Sequence, residues 1–180
     1  MTESNKKSVI AFSGSTRKNS TNDILVKIIE RLSEEKFTVN IFEGLSDLPH
    51  FNPDDNDNAP KPVVELRELL ANADGILICT PEYAHGLPGA LKNIIDWTVY
   101  SGEFYQKPVA LITASTDGQY GHKAFLEILH AVGAKNTDQL QLLISFVKTK
   151  INDNEIIDEP TLTDIKKLIE AFYNTMNETN

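Results

Sequence analysis

The chain has 180 residues, 41% apolar and 24% charged, which suits one domain with a proper core and the composition of a soluble globular protein. Its formal net charge of −9 repels nucleic acid and anionic membrane surfaces, so neither is an expected partner. Its apolar runs are strand-sized, too short to cross a membrane, and its one cysteine, Cys79, excludes an internal disulfide framework.

Met1-Thr2-Glu3-Ser4-Asn5-Lys6-Lys7 contains no apolar segment of the kind a signal peptide needs, and the cytoplasm is the expected compartment. Val9 to Phe12 is an apolar, β-prone run. It gives way abruptly to Ser13-Gly14-Ser15-Thr16-Arg17-Lys18-Asn19-Ser20-Thr21-Asn22. A helical pattern follows, with Ile24, Leu25, Ile28, Ile29 and Leu32 on one face. A strand feeding a hydroxyl-rich turn and then a helix predicts an anion site. The first N–H groups of the helix are unpaired and carry the positive end of its dipole. Arg17 adds fixed charge, and Ser15, Ser20, Thr21 and Asn22 add short directional donors, an inventory suited to a phosphate monoester. Simple capping by Ser20, Thr21 or Asn22 would use one of these residues and leave Arg17 unexplained. The Walker loop is excluded by spacing, and the dinucleotide fingerprint by the presence of one glycine where three are needed.

Phe37 to Phe42 alternates and predicts a second strand. Glu43 to Lys61 is a polar loop whose run Asp54-Asp55-Asn56-Asp57-Asn58 lacks the Gly and terminal Glu of a calcium loop. It is expected to be solvated and close to a site mouth. Pro62 opens a second helix with Val63, Leu66, Leu69 and Leu70 inward and Asn72 near its end. Gly75 to Thr80 is continuously apolar, as a strand buried on both faces of a parallel sheet should be. Cys79 within it is expected to act as a small hydrophobe rather than a reactive thiol.

The loop Pro81-Glu82-Tyr83-Ala84-His85-Gly86-Leu87-Pro88-Gly89 is stiffened by two prolines and rich in backbone donors and acceptors. A planar heterocycle would suit it. Glu82 is open to two roles, a general base or a local cap or ion pair. His85 has no second ligand at metal spacing and is expected to shape the loop or contact a ring rather than transfer protons. Gly89 to Trp97 predicts a helix on which Lys92 and Asp96 pair one turn apart. Trp97, Tyr100, Phe104 and Tyr105 cluster after it and are expected to mark a contact surface.

Val109 to Thr113 predicts a fourth strand, followed by the loop Ala114 to Gly121, in which Asp117, Tyr120 and nearby His122 are expected to be loop filler. A helix from about His122 to Val132 carries Phe125, Leu126, Ile128 and Leu129 and stops at Gly133. Leu140 to Val147 contains a fifth strand, Ile151 to Pro160 is a polar connection, and Leu162 to Tyr173 is a closing helix. Alternating strands and helices imply a parallel sheet covered on both faces, with the doubly wound order 2-1-3-4-5. The loops after strands one, three and four would converge at the switch point.

These residues resemble the NADPH-dependent FMN reductase family, flavodoxin-like proteins that include quinone, chromate and azo-dye reductases. The first signature, G-S-x-R-x-x-S-x-N, is matched by Gly14, Ser15, Arg17, Ser20 and Asn22. The second, P-E-Y followed by P-G-x-L-K-N-x-x-D-W, is matched by Pro81, Glu82, Tyr83, Pro88, Gly89, Leu91, Lys92, Asn93, Asp96 and Trp97. The resemblance covers roughly residues 8 to 145. It implies a flavodoxin-like three-layer sandwich spanning residues 1–180 as a single FMN-binding domain. Ser15, Arg17, Ser20 and Asn22, with Thr21 beside them, would hold the FMN phosphate. Pro81, Glu82 and Tyr83 would line the flavin ring, with Ala84 and His85 beside them, and Ser115 and Gly118 would flank it from the third loop. Ala84 stands where the family commonly has Asn, leaving His85 as the side chain able to substitute. Gly121 is followed by His122 where the family often has a Gly pair.

The implied function is an oxidoreductase that passes hydride from NADPH or NADH to FMN and on to a quinone, azo compound or free flavin. The cofactor carries the chemistry, so no indispensable catalytic side chain and no metal are expected. A homodimer or homotetramer is implied, with a small-molecule electron acceptor as the other partner. A non-enzymatic flavodoxin-like FMN carrier, or a binding module for another phosphorylated ligand, are the alternatives that the residues leave open.

Overall fold

The computed structural model describes residues 6–17, 19–135, 137–152 and 154–178. Met1 to Asn5, most of the stretch without an apolar leader, lie outside the described residues. Five strands, β1 (Lys7–Ser13), β2 (Phe37–Ile41), β3 (Gly75–Thr80), β4 (Val109–Ala114) and β5 (Gln141–Ile144), form one sheet. Its order is β2-β1-β3-β4-β5 and every neighbouring pair is parallel, as the alternation of strands and helices predicts. Between and after them run α1 (Thr21–Leu32), α2 (Lys61–Asn72), α3 (Gly89–Val99), α4 (Gln119–Ala131) and α5 (Glu159–Asn177).

β3 and β4 are buried at every position because helices cover both faces. Period-2 geometry then splits each strand between two cores. Val9 and Ala11 of β1 face the side of α1 and α5, where Leu25, Ile29, Ile165 and Phe172 pack. Ile10 and Phe12 face the side of α2, α3 and α4, where Leu66, Leu70, Ile94, Trp97 and Phe125 pack. Cys79 is wholly buried on the α1/α5 side, and burial pushes its thiol well above the usual range. It is a core residue.

Three expectations change. Leu69 is half exposed, because the inward face of α2 is set by Val63, Leu66 and Leu70. The aromatic cluster divides. Trp97 and Phe104 are buried, with Trp97 Nε1 donating to the Pro49 carbonyl at 2.8 Å, whereas Tyr100 and Tyr105 are exposed. The acidic run Asp54 to Asn58 is mostly exposed, as expected, and begins in a short 3₁₀ turn capped by Asn52, with Asn56 accepting from Arg67, but none of it lines the site cavity. Among the described residues no group of three or more His, Cys, Asp or Glu side chains could hold a metal.

α5 is longer than its apolar pattern predicts. Asp158 caps it by accepting from the Thr161 N–H at 3.0 Å and from the Thr161 hydroxyl at 2.6 Å. Its far end is held where Phe172 meets Phe37 edge-on, ring centroids 5.7 Å apart. The preceding connection contains a minimal antiparallel pair, β6 (Ile151–Asn152) and β7 (Glu155–Ile156). Among the described residues no helix is long and apolar enough to cross a membrane.

Phe172 is the hinge pin between α5 and the sheet. Phe172→Ala is expected to cost about 3–5 kcal/mol, the usual range for emptying a buried aromatic site. Urea unfolding checks this, and a loss below about 1 kcal/mol would contradict the packing described.

Candidate functional site

The first loop is set by a close approach. Gly14 donates its N–H to the Cys79 carbonyl at 2.7 Å, and a Cβ built on Gly14 would lie 2.5 Å from Thr80 Oγ1. Only a residue without a side chain lets this loop lie against the end of β3. The chain then enters α1 through a reciprocal capping box. Ser20 Oγ accepts from the Asp23 N–H at 3.1 Å, and Asp23 Oδ2 accepts from the Ser20 N–H at 2.9 Å. The N–H groups of Thr21 and Asn22, in the first turn, have no intrahelical acceptor. Arg17 is exposed, and its guanidinium has no partner among the described residues.

A cavity of about 450 Å³ opens beside this helix start, within the size range of small-molecule sites. Ser15, Arg17, Ser20, Thr21 and Asn22 line it from the first loop. Pro81, Glu82 and Tyr83 line it from the loop after β3, and Ser115 from the loop after β4. Nine of the twelve expected site residues therefore meet in one crevice at the carboxyl edge of the sheet. Asn22 ties the loops together. It is buried, and its Nδ2 donates to the Ala114 carbonyl at 3.3 Å. Among the described residues its buried Oδ1 has no partner, an acceptor waiting for a donor.

Ala84, His85 and Gly118 do not line the cavity. Ala84 and His85 are the two central residues of a tight hairpin closed by reciprocal Tyr83 and Gly86 hydrogen bonds of 3.0 and 2.9 Å. Both have left-handed backbones, with φ of 50° and 60°, as a two-residue primed turn requires. The His85 ring stacks on Tyr120, centroids 4.3 Å apart and planes at 26°. Gly118, with φ of 93°, is the residue from which α4 starts, and a Cβ there would meet Leu143 at 2.8 Å. Its role in this geometry is to begin α4.

Glu82 takes the capping role. Its Oε2 accepts from the Gly121 N–H at 2.6 Å, placing a carboxylate on the positive end of α4. Gly121 is confined here, since a Cβ would lie 2.9 Å from Glu82 Cγ and from the Gly86 carbonyl. Ser115 Oγ accepts from the Glu82 N–H at 3.3 Å and joins the loops after β3 and β4.

His122 is not loop filler. It lies buried on α4 between Thr113 Oγ1 at 2.8 Å from Nδ1 and Gln141 Oε1 at 2.7 Å from Nε2. Gln141 Nε2 donates to the Asp138 carbonyl at 3.2 Å, which turns Oε1 toward the ring. The network thus assigns the proton to Nε2 and makes Thr113 the donor to Nδ1. Burial holds the imidazole below its ordinary pKa, so it stays neutral. Its signal was absent from the sequence, because the partners stand on two different strands.

The expected list lacks Ala114, Thr116 and the turn Phe146, Val147, Lys148 and Thr149, all of which line the cavity. The turn follows β5, next to β4 in the sheet. The sheet order predicted from the sequence was the available clue to it.

A five-stranded parallel sheet in this order, with a hydroxyl-rich loop entering α1 and a ligand-sized cavity at the switch point, defines a flavodoxin-like protein. Residues 8–148 match the family described as NADPH-dependent FMN reductase, and the chain belongs to that family. It is 28% identical over 170 residues to an NADH:(hydroxy)cinnamate reductase subunit of Vibrio ruber, covering 91% of this chain and 84% of that one. It is 29% identical over 178 residues to a quinone reductase of Escherichia coli K12, covering 94% and 95%. The solved flavoenzyme NAD(P)H:(acceptor) oxidoreductase FerB of Paracoccus denitrificans superposes with a TM-score of 0.75 at 25% identity, covering 94% of this chain and 97% of that one.

Two outcomes follow from the geometry. Ala84→Asn puts a residue that tolerates a left-handed backbone into the turn and is expected to raise stability by roughly 0.5–1 kcal/mol in urea unfolding, with the hairpin otherwise unchanged. His122 is held neutral in the fold while the unfolded chain takes up a proton near pH 6.5. Its depressed pKa therefore leaves stability intact above about pH 6.5 and erodes it as pH falls below. Melting temperatures at pH 8 and pH 5.5 should fall further apart in the parent than in His122→Gln, and equal spacing would overturn the assignment.

Proposed function

We propose that this FMN reductase-family enzyme takes hydride from NADPH or NADH and delivers the electrons to a small acceptor such as a quinone, an azo compound or free flavin. One observation carries the site assignment. The start of α1 gathers unpaired N–H groups, a guanidinium and a buried acceptor, both without a partner among the described residues, around one cavity of ligand size. These residues fit FMN. Arg17 and the N–H groups of Thr21 and Asn22 hold the phosphate, and the hydroxyls of Ser15 and Ser20 donate to it. The Asn22 Nδ2 group gives one of its two N–H bonds to the Ala114 carbonyl and keeps the other for the ligand, and its Oδ1 takes a hydroxyl of the ribityl chain.

Bound FMN supplies the hydride and electron transfer, as cofactors do in such enzymes. The chain's own residues bind and orient it. Pro81, Glu82 and Tyr83 present a wall stiffened by the hairpin bonds, and Ser115, which accepts from the Glu82 N–H, joins that wall to the loop after β4. Glu82 contributes by locking Gly121, which fixes the wall against α4. Ala84, His85 and Gly118 belong to the second layer, holding the hairpin and the start of α4 in place.

The exposed apolar patch of Val99, Tyr100 and Tyr105 supports assembly as a homodimer or homotetramer. We place the enzyme in the cytoplasm, where its nicotinamide reductant is found and where an unpaired cysteine stays reduced. Residues 1–180 then form a single FMN-binding domain.

Flavin content after purification tests the phosphate assignment. Arg17→Ala should emerge with most of its FMN lost, while His85→Ala keeps most of it, and full occupancy in Arg17→Ala would overturn the assignment. Anaerobic mixing with NADPH should bleach the flavin absorbance of the parent protein rapidly, whereas an electron carrier would react slowly.

A further inference from the structure

We propose that Lys148, on the turn after β5, is a second cation of the phosphate site, alongside Arg17. This inference rests on the reading of the cavity as the FMN phosphate pocket. Lys148 lines that cavity, is exposed, and its ammonium forms no ion pair or hydrogen bond among the described residues.

Its position follows from a short chain of contacts. Asn22, in the first turn of α1, reaches the end of β4 through its 3.3 Å bond to the Ala114 carbonyl. The next residue, Ser115, accepts the Val147 N–H at 3.2 Å, and Thr116 accepts the Phe146 N–H at 2.9 Å. Ser145 Oγ donates to the Asp117 carbonyl at 2.7 Å. The turn is therefore fastened to the loop that follows Ala114, the residue Asn22 reaches. It is closed on itself by the Thr149 and Lys150 N–H groups, which donate to Phe146 and Val147 at 2.9 and 3.0 Å. Phe146 is held with φ of 53°, a conformation that a bulky residue adopts only when its surroundings impose it.

The overall field argues for a second cation. A chain of net charge −9 repels a phosphate dianion, and one exposed guanidinium is partly screened by solvent. Two cations lining the cavity that holds the unpaired N–H groups of Thr21 and Asn22 give the dianion more local charge than one. Lys148 then contributes selectivity for FMN over riboflavin, which has the same ring and ribityl chain and no phosphate.

The full chain, stripped of flavin, is titrated with FMN and separately with riboflavin, following the quenching of flavin fluorescence. Lys148→Gln should weaken FMN by roughly tenfold, the scale of one charge-assisted hydrogen bond, and leave riboflavin within about twofold. Lys148→Arg should restore most of the FMN affinity. FMN affinity unchanged in Lys148→Gln, or an equal loss for riboflavin, overturns the role. Arg17→Ala in the same titration separates the two readings. If it loses FMN selectivity while Lys148→Gln does not, the Lys148 role alone is wrong. If neither variant alters selectivity, the phosphate pocket itself is misplaced.

Discussion

Gly14 lies so close to Thr80 that no side chain fits between them, and the architecture of the site depends on that contact. The end of β1 is pulled onto the end of β3 by the hydrogen bond to Cys79, so the loop turns sharply over the switch point. α1 then starts above the sheet edge, near enough for Asn22 to reach β4. A wider loop would carry the helix start away from β3 and β4, and the cavity would lose a wall. The contact is between a missing methyl and a threonine, yet it sets where the positive end of a helix points.

Charge is arranged against the background of the chain. An acidic chain belongs to a family named for an anionic cofactor, so attraction has to come from local groups, fixed dipoles and unpaired cations, against the overall field. The same economy governs the other loops. Glu82 spends its carboxylate on α4, Ser115 spends its lone pair on Glu82, and Asn22 spends one amide N–H on Ala114. Among the described residues, what remains unspent around the cavity includes one buried oxygen, the Arg17 guanidinium, the Lys148 ammonium and the first N–H groups of α1. Those leftovers are the groups available to a ligand.

The two signatures behaved differently when placed in the fold. The first, from Gly14 to Asn22, stays together because its residues are neighbours on one loop. The second divides. Pro81, Glu82 and Tyr83 reach the cavity, but its helical half secures another loop. Asn93 accepts from Phe51 and donates to the Pro49 carbonyl, and Trp97 donates to the same carbonyl. Lys92 and Asp96 pair on the helix surface. A residue pattern that identifies a family is thus partly a packing pattern. Trp97, expected at a contact surface, is buried for that reason.

The sequence by itself determined the five strands of the main sheet, the existence of the five helices, the parallel order and the loop that opens α1. Each of these is written in local periodicity, in turn chemistry or in residues adjacent along the chain. Tertiary structure alone decided the role of His122, whose partners lie on two strands, and the inclusion of the turn at Phe146 to Thr149, which no motif marks. It also decided that Glu82 caps a helix and that Asn22 keeps a free oxygen. These are facts about groups far apart in the chain, and a linear pattern does not record which of them the folded sheet brings within hydrogen-bonding distance.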